Sequence, residues 1–275
     1  MIISVASGKG GVGKTTVAVN LALSIDNVQF LDCDVEEPNA HIFLKPEIVN
    51  SFPVLMPIPK INEKLCNYCG ECARHCQFNA LIVLPGAVLV FKELCKGCGL
   101  CKLVCPNNAI TEEQRELGVI EEGKVDGIEF IHGRLNISEP FASPIIKVMK
   151  ERINRNKNVI LDVPPGASCP VITAVYGSDY CIMVTEPTPF GLHDLKIMHA
   201  IVEELGIEHG VIINRYGIGN KDVEEFCKSK GIPILMKIPM DRKIAELYSK
   251  GVPFTKALPE WKDKFREVFD AISGT

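Results

Sequence analysis

The sequence predicts an α/β fold, in which a doubly wound, mostly parallel sheet is interrupted by a small inserted α+β domain. Short apolar runs alternate with helix-like stretches, as in consecutive βαβ units. A glycine-rich loop joins the first apolar run to the first helix-like stretch. Residues 58–111 break this alternation and contain a cysteine-rich repeat. We therefore predict a discontinuous α/β domain, 1–57 with 112–275, and an inserted domain, 58–111.

The elements of the α/β domain follow one another in a regular order. The run IISVA is short and apolar, which is typical of a buried parallel strand. The segment TTVAVNLALSI is helix-like, and VQFLDCD is the second predicted strand. After residue 112, the strand-like runs are NVILDV, YCIMVTE, GVIIN and ILMKI. Helix-like stretches lie between or after them, around 192–205, 220–230 and 242–250.

The inserted domain contains an internal repeat at an offset of 29 residues. The segment LCNYCGECARHCQFNAL, residues 65–81, superposes on LCKGCGLCKLVCPNNAI, residues 94–110. The repeat matches all four cysteines and one Asn-Ala pair in each half. We interpret it as a small two-fold symmetric domain inserted after the second strand, with the proline-rich PVLMPIPK as the linker that leads into it.

Composition limits the classes of function. The 275 residues are 47% hydrophobic, which suffices for one sizeable core and a small satellite domain. The net charge of −4 argues against a nucleic-acid partner. No run of 18 uncharged apolar residues and no signal peptide is recognisable, so we expect a cytoplasmic protein. Twelve cysteines are many for such a chain, and in a reducing compartment clustered cysteines more often hold metal than form disulfides.

The glycine-rich loop, GKGGVGKT at residues 8–15, matches the phosphate-binding pattern G-x-x-x-x-G-K-[ST]. Its backbone N–H groups can surround a β-phosphate at the helix N-terminus. We expect Lys14 to reach the β- and γ-phosphates and the Thr15 hydroxyl to coordinate Mg²⁺. The predicted nucleotide-binding residues of the loop are Gly8, Gly10, Gly11, Val12, Gly13, Lys14, Thr15 and Thr16.

With Lys9 included, the loop reads KGGVGKTT and resembles that of the deviant Walker A P-loop NTPases. This group contains MinD, ParA, the Mrp-type scaffolds and the nitrogenase iron protein. The resemblance implies ATP as the ligand and a homodimer that encloses the nucleotides, with Lys9 contacting the partner's phosphates. A second ammonium there would neutralise charge that develops on the transferred phosphoryl group. A solvated loop lysine is the alternative.

The same resemblance assigns roles to acidic residues at two strand ends. In FLDCDVEEPN, Asp34 is expected to polarise the attacking water and Asp32 to support the Mg²⁺ site. In VILDVPPG, Asp162 is expected to be the acidic partner of Mg²⁺ or its waters, and Gly166 to offer its amide to the γ-phosphate. Turn formation is the alternative for a strand-end aspartate.

Recognition of the adenine base is also expected from this resemblance. Asn214 ends the strand in VIINRY, and the family uses an asparagine there against the base. The segment KIPMD, which includes Pro239 and Asp241, resembles the segment that closes over the base. A helix cap or a turn is the alternative for these residues.

Each half of the cysteine repeat has the spacing C-x₂-C-x₂-C-x₃-C, in which the fourth cysteine binds the other cluster. The repeat resembles bacterial two-cluster ferredoxins over about 54 residues, with Gln77 where the pattern has a proline, present as Pro106 in the second half. Zinc is the alternative, but zinc ribbons use paired C-x₂-C knuckles. The predicted ligands of two [4Fe–4S] clusters are Cys66, Cys69, Cys72 and Cys105 for the first and Cys95, Cys98, Cys101 and Cys76 for the second.

Four cysteines lie outside the repeat. We expect Cys33, Cys181 and Cys227 to be buried as small apolar side chains. Cys169 lies seven residues after Asp162, a spacing that resembles a cluster-bridging cysteine of the nitrogenase iron protein. The second bridging cysteine of that protein has no equivalent here, so the hypothesis for Cys169 is a labile metal site.

The C-terminal segment PEWKDKFREVFDAISGT predicts an amphipathic helix. It either docks on the sheet, which is the commoner arrangement, or anchors the chain to a membrane as in MinD. Its apolar face is made of Trp261, Phe265, Val268, Phe269 and Ile272.

Together these features predict a slow, dimerisation-dependent ATPase switch. In a homodimer, MgATP binding and hydrolysis would be coupled to iron–sulfur or metallocofactor assembly, with a redox protein or apo-metalloprotein as partner. One alternative is ATP-gated electron transfer through two [4Fe–4S] clusters. Another is a non-redox positioning ATPase of the MinD/ParA kind, in which the clusters are structural.

Overall fold

The structure of the protein is a computed structural model that describes residues 1–274. It divides the chain into two compact units. Unit 1 comprises Met1–Phe52, Ile120–Arg134 and Ala142–Thr275, and unit 2 comprises Pro53–Val119 and Leu135–Phe141. The limits 58–111 that the sequence suggests for an inserted domain stay a prediction.

The strands and helices are numbered here in chain order. The strands are β1 (Ile2–Ala6), β2 (Val28–Asp32), β3 (Glu47–Ile61), β4 (Leu81–Leu84), β5 (Ala87–Val90), β6 (Ile110–Val125), β7 (Ile128–Leu135), β8 (Asn158–Asp162), β9 (Tyr180–Thr185), β10 (Glu208–Tyr216) and β11 (Ile234–Pro239). The helices are α1 (Lys14–Ala22), α2 (Ala40–Leu44), α3 (Glu71–Arg74), α4 (Leu100–Leu103), α5 (Ser143–Lys150), α6 (Cys169–Val175), α7 (Pro189–Glu204), α8 (Asp222–Lys230), α9 (Arg242–Ser249), α10 (Phe254–Ala257) and α11 (Glu260–Ser273).

Within residues 1–274, nine strands form the large sheet, in the order β11-β10-β9-β1-β8-β2-β7-β6-β3. The strands from β11 to β7 pair in parallel. Every residue of β1, β2 and β9 is buried, as expected of strands that are covered on both faces. The predicted α/β class with a mostly parallel sheet is therefore confirmed.

The parallel register brings the candidate acidic residues to one edge of this sheet. Asp32, the last residue of β2, is the register partner of Asp162, the last residue of β8. β1 lies beside β8, and the glycine-rich loop follows β1 directly in the chain. The loop and both carboxylates thus meet at the carboxyl ends of neighbouring strands, where open α/β sheets bind ligands.

One prediction about the path of the chain is wrong. The segment PVLMPIPK is part of β3 rather than a linker. Its residues alternate in burial, with Val54, Met56 and Ile58 buried. β3 is the last strand in the sheet order, and an edge strand tolerates prolines because one row of its N–H groups needs no partner.

The sequence reasoning also missed β6 and β7. They are neighbours in the sheet and are joined by Asp126 and Gly127, whose φ values are 49° and 80°. Two positive φ angles in a two-residue connection are typical of a type I′ hairpin turn, for which Asp-Gly is a preferred pair. The pair DG was therefore a usable signal for this hairpin.

Unit 2 shows the repeat in its backbone. The short helices α3 and α4 each follow a glycine in the left-handed region, Gly70 and Gly99. The repeated asparagines Asn79 and Asn108 also share positive φ angles, 51° and 49°. β4 and β5 form a separate antiparallel pair.

The C-terminal helix α11 packs into the core of unit 1. Trp261, Phe265 and Val268 are buried, and Phe269 and Ile272 pack partly buried against the same cluster. The apolar face therefore covers the protein's own core, as in the docked alternative. Among the described residues, no helix is long and apolar enough to cross a membrane.

Candidate functional site

The glycine-rich loop is folded as a closed turn between β1 and α1. Gly11 and Gly13 have φ angles of 80° and 92°, in the left-handed region that favours glycine. A Cβ atom on Gly13 would come within 2.3 Å of the Asn214 side-chain nitrogen, and one on Gly8 within 2.6 Å of the Cβ atom of Asp194. Gly13 is therefore required both by its backbone conformation and by close packing, Gly11 by its conformation and Gly8 by close packing.

Lys14 points to the acidic edge of the sheet. Its Nζ lies 2.5 Å from Oδ1 of Asp162 and 3.9 Å from Oδ2 of Asp34. Burial alone would lower the pKa of Lys14, but the neighbouring carboxylates outweigh it and raise the pKa. The predicted catalytic lysine and two predicted acidic residues therefore meet in the structure.

Asp32 organises the loop that follows β2. Its carboxylate accepts hydrogen bonds from the backbone N–H groups of Asp34, Asn39 and Ala40, at 3.1, 3.0 and 3.0 Å. These bonds fix the path of the segment that carries Asp34. Burial raises the pKa of Asp32 to about 7, helped by repulsion from Asp162.

The donor set at this edge suits a divalent cation. Burial raises the pKa of Asp34 to about 6, although Lys14 opposes the shift. Oδ2 of Asp162 is buried and accepts no hydrogen bond, and the hydroxyl of Thr15 makes none within residues 1–274. Three carboxylates thus share one ammonium, and oxygen donors remain available, which is the chemistry that Mg²⁺ prefers.

Lys9, the extra lysine of the loop, is held by a network within its own chain. Its Nζ lies 2.7 Å from Oε1 of Glu186 and 5.9 Å from the ring centroid of the exposed Phe190. The other oxygen of Glu186 accepts from Arg215 at 2.9 Å, and Arg215 also donates to the carbonyl of Gly11 at 3.0 Å. Burial would raise the pKa of Glu186, but the two cations lower it overall.

The residues predicted to recognise adenine have clear contacts. Asn214 donates its side-chain amide to the carbonyl of Val12 at 2.8 Å, so it is attached to the phosphate loop itself. Asp241 caps α9 and accepts from the N–H groups of Lys243 and Ile244, the alternative that the sequence left open. Pro239 ends β11 beside Tyr216.

Two cavities in unit 2 are lined by the two predicted cysteine sets. Cys66, Cys69, Cys72 and Cys105 line one cavity. Cys76, Cys95, Cys98 and Cys101 line a second one. In each set the fourth cysteine comes from the other half of the repeat, as the spacing predicts.

Four thiols line each cavity, which is the number that a [4Fe–4S] cluster takes. Within residues 1–274, no three His, Cys, Asp or Glu side chains converge to hold one metal ion. In a [4Fe–4S] cluster, each cysteine binds a different iron, so the thiols surround a volume instead of meeting at a point. Burial raises the pKa of Cys72, and that of Cys101 to about 11, and metal binding would displace these protons.

The remaining cysteines differ in exposure. Cys33, Cys181 and Cys227 are buried, and burial raises the pKa of Cys181 to about 12 and of Cys227 to about 11. Cys169 is exposed and is the first residue of α6. Its role as a labile metal site stays a hypothesis.

Two residues of the site were missed by the sequence reasoning. Glu186 follows β9 and Arg215 lies near the end of β10, within the quoted segments YCIMVTE and VIINRY. Arg215 has a φ angle of 52°, which is unusual for a residue with a side chain and is not visible in a sequence. No local pattern in the sequence connects these two residues with Lys9, which lies 177 residues before Glu186.

Comparison with known proteins agrees with this geometry. The family model described as the CobQ/CobB/MinD/ParA nucleotide binding domain matches residues 3–254. An uncharacterized protein of Methanocaldococcus jannaschii is 34% identical over 263 residues, which cover 93% of this chain and 92% of the relative. The iron–sulfur cluster carrier protein of Aquifex aeolicus is 27% identical over 282 residues, which cover 94% of this chain and 63% of that protein.

Solved structures show the same fold. The septum site-determining protein MinD of Pyrococcus horikoshii, complexed with Mg-ADP, has a TM-score of 0.60 and 20% identity, covering 98% of this chain and 95% of that one. The cell division ATPase MinD of Pyrococcus furiosus has a TM-score of 0.61 and 19% identity, covering 99% and 98%.

Proposed function

Because this chain belongs to the CobQ/CobB/MinD/ParA family of nucleotide-binding proteins, we propose that it is an MgATP-dependent switch that carries two [4Fe–4S] clusters. The switch serves iron–sulfur or metallocofactor assembly. The observation that carries this proposal is the presence, in one chain, of a phosphate loop with its acidic edge and of two cavities that are each lined by four cysteines.

The first half of the proposal concerns ATP. Lys14 leaves Asp162 for the β- and γ-phosphates, because a phosphate carries more charge than the carboxylate that holds the lysine now. Thr15, Asp34 and Asp162 hold Mg²⁺ directly or through water, and Asp34 also orients the attacking water. The bound Mg²⁺ neutralises charge on the phosphate oxygens.

The second half concerns a homodimer. Lys9 serves the partner's phosphates only after it leaves Glu186, so hydrolysis is slow until two subunits close on ATP. The exposed ring of Phe190 lies beside Lys9, on the face that the dimer would cover. Association and hydrolysis are thereby linked through one ammonium group.

The clusters give the switch its cargo or its redox function. Bound [4Fe–4S] clusters supply one-electron chemistry, and labile ones supply iron and sulfide for transfer. The similarity to the iron–sulfur cluster carrier protein of Aquifex aeolicus supports assembly. The iron–sulfur cluster carrier protein of Methanocaldococcus jannaschii, 25% identical over 297 residues, supports it as well.

A second candidate is ATP-gated electron transfer. It is favoured by the complete set of four thiols around each cavity, since a fully ligated cluster is retained more easily than one bound by two or three cysteines. A positioning ATPase with structural clusters has less support, because no described feature suggests a surface to be positioned on.

The test uses protein purified and reconstituted without oxygen. We expect about eight irons and eight sulfides per chain, two four-iron clusters. We also expect ATP to accelerate iron–sulfur transfer to an apo-ferredoxin. Lys14→Ala should abolish ATP binding, whereas Lys9→Ala should keep ATP binding but lose the acceleration.

Three results would each contradict a different part of the proposal. If the purified and reconstituted protein contains no iron, the chain does not carry the two clusters. Iron-loaded protein whose transfer ignores ATP, but whose cluster potentials shift with an ATP analogue, would replace assembly by gated electron transfer. Equal transfer by wild type and Lys9→Ala would remove the role of Lys9.

A further inference from the structure

The two cysteine sets are related by the repeat but differ in their surroundings. The residue after the first cysteine is Asn67 in the first set and Lys96 in the second. Asn67 uses its side-chain oxygen to accept the N–H of Cys69 at 3.3 Å. Lys96 lines the second cavity, and its Nζ lies 3.1 Å from the ring centroid of Phe141.

The side chains that line the two cavities differ in net charge. Glu71 lines the first cavity and is paired with Arg74. Glu112 lines the second cavity and is paired with Lys102 at 2.7 Å. Lys96 has no carboxylate partner within residues 1–274, so the second cavity carries one more positive charge.

The sulfurs of the second set also accept more hydrogen bonds from backbone N–H groups than those of the first set. In the second set, Gly97 donates its N–H to Cys95 Sγ at 3.5 Å, and Ala80 donates to Cys76 Sγ at 3.3 Å. In the first set, the described residues provide one such bond, from Ala109 to Cys105 Sγ at 3.2 Å.

The residue after the fourth cysteine adds a further difference. Gln77 follows Cys76, a ligand of the second set, and keeps an N–H group. Pro106 follows Cys105, a ligand of the first set, and has none. The second set thus has one more potential donor beside its sulfurs.

We propose that the cluster of the second set has the higher of the two reduction potentials. An electron that enters unit 2 is then located mainly on this cluster, whose ligands are Cys76, Cys95, Cys98 and Cys101. Reduction adds one negative charge to a cluster, and a nearby cation and N–H donors to sulfur both stabilise that charge. This inference rests on the proposed presence of two clusters but not on ATP hydrolysis.

The electron count of this step is simple. A one-electron donor of low potential reduces one of the two clusters. If the first is reduced, it loses that electron to the second, which is reduced as the first is reoxidised. No covalent bond forms or breaks, and no proton is required.

The repeat offers a matched pair of substitutions for the test. Lys96→Asn gives the second set the residue of the first, and Asn67→Lys gives the first set the residue of the second. The exposed Lys262 of α11 supplies the charge control, Lys262→Asn. Each protein is titrated with dithionite and followed by EPR, with iron content measured on the same sample.

We expect two midpoints in the wild type. Lys96→Asn should lower the higher midpoint and bring it toward the other, and Asn67→Lys should raise the lower midpoint. Lys262→Asn should leave both in place, and iron content should stay equal in all four proteins.

Two results would overturn the inference while leaving the proposed clusters intact. One is a full iron content with coincident midpoints that neither substitution separates or moves. The other is a shift of the lower midpoint in Lys96→Asn, since Lys96 would then act on the first set. Absence of iron would instead contradict the proposed function itself.

Discussion

Glu186 holds two cations of the phosphate loop region at once, Lys9 through one oxygen and Arg215 through the other. Its carboxylate is nearly buried, whereas Lys9 remains about one-third exposed. Lys9 is therefore restrained but can be released. The sequence separation of 177 residues between Lys9 and Glu186 explains why no local pattern could reveal this contact.

Glu186→Gln should favour the closed dimer. The substitution removes the charge that retains Lys9, and a partly exposed ion pair contributes about 1 kcal/mol. Two such pairs break when the symmetric dimer closes, so we expect the dissociation constant of the dimer with a non-hydrolysable ATP analogue to fall about 30-fold. Sedimentation velocity measures it, and Glu267→Gln on the exposed face of α11 is the control. Weaker dimerisation in Glu186→Gln would mean that the carboxylate supports the closed state.

The contacts of single residues were only partly predictable. The pattern GKGGVGKT and the strand end VILD indicated Lys14 and Asp162, because the motif requires its lysine at the helix start and α/β sheets bind ligands at strand ends. The ion pair between them was not predicted, since it depends on the register of β8 against β1 and β2.

The hairpin of β6 and β7 places a histidine beside the acidic edge of the sheet. His132 in β7 is the register partner of Asp32 in β2. Its Nε2 lies 2.8 Å from Oε2 of Glu121 in β6, so the pair connects the two strands of the hairpin. The ring also packs near those of Phe130 and His41.

The free energy of unfolding should therefore decrease as the pH falls below about 6.5. Burial lowers the pKa of His132, although Glu121 opposes the shift, and His41 and Arg134 lower it further. The unfolded chain then binds the proton more readily than the folded chain. The free energy of unfolding loses up to about 1.4 kcal/mol per pH unit from this group, between 6.5 and the lower folded pKa.

The measurement is urea unfolding of wild type and His132→Gln from pH 5 to pH 7. Fluorescence of Trp261, the one tryptophan of the chain, reports on unit 1, where it is buried. As pH falls, wild type should lose stability relative to His132→Gln, because glutamine keeps a donor for Glu121 but does not titrate. His193→Gln, at an exposed position, should show no such trend. A pH-independent difference for His132→Gln would contradict the assigned shift.

The elements themselves were predicted where apolar runs are long and continuous. Four strands are buried on both faces, namely β1, β2, β8 and β9. Their sequences are therefore mostly apolar, and this pattern indicates buried parallel strands directly. β3 was predicted as a linker because prolines normally exclude a strand, and its position at the sheet edge removes that objection only once the fold is known.

The cysteine region of unit 2, residues 65–110, buries few large apolar side chains. One cluster in this region contains three buried residues, Cys72, Leu81 and Ile110. One cluster of unit 1 contains Phe30, Phe130, Phe254 and many further buried side chains. Because small cores rarely hold a fold alone, metal binding should contribute much of the stability of unit 2.

Iron removal should therefore open unit 2 selectively. After chelation without oxygen, we expect trypsin to cut between residues 65 and 110 at least ten-fold faster than in the iron-loaded protein. ATP-analogue binding by unit 1 should persist. Mass spectrometry of the fragments locates the cuts, with the iron-loaded protein under the same conditions as the control. Equal cutting rates would show that the cysteine region is stable without metal.

The burial of the remaining thiols has a practical consequence for spectroscopy. Among the described cysteines outside the two sets, Cys169 is the exposed one, at the start of α6 and seven residues beyond Asp162. With the other eight engaged by iron, a maleimide dye would attach at a single native position, three residues after Gly166, whose N–H donates to the carbonyl of Ser7 beside the phosphate loop at 3.0 Å. The chain thus carries its own labelling site for following nucleotide exchange in real time, with no cysteine to remove or add.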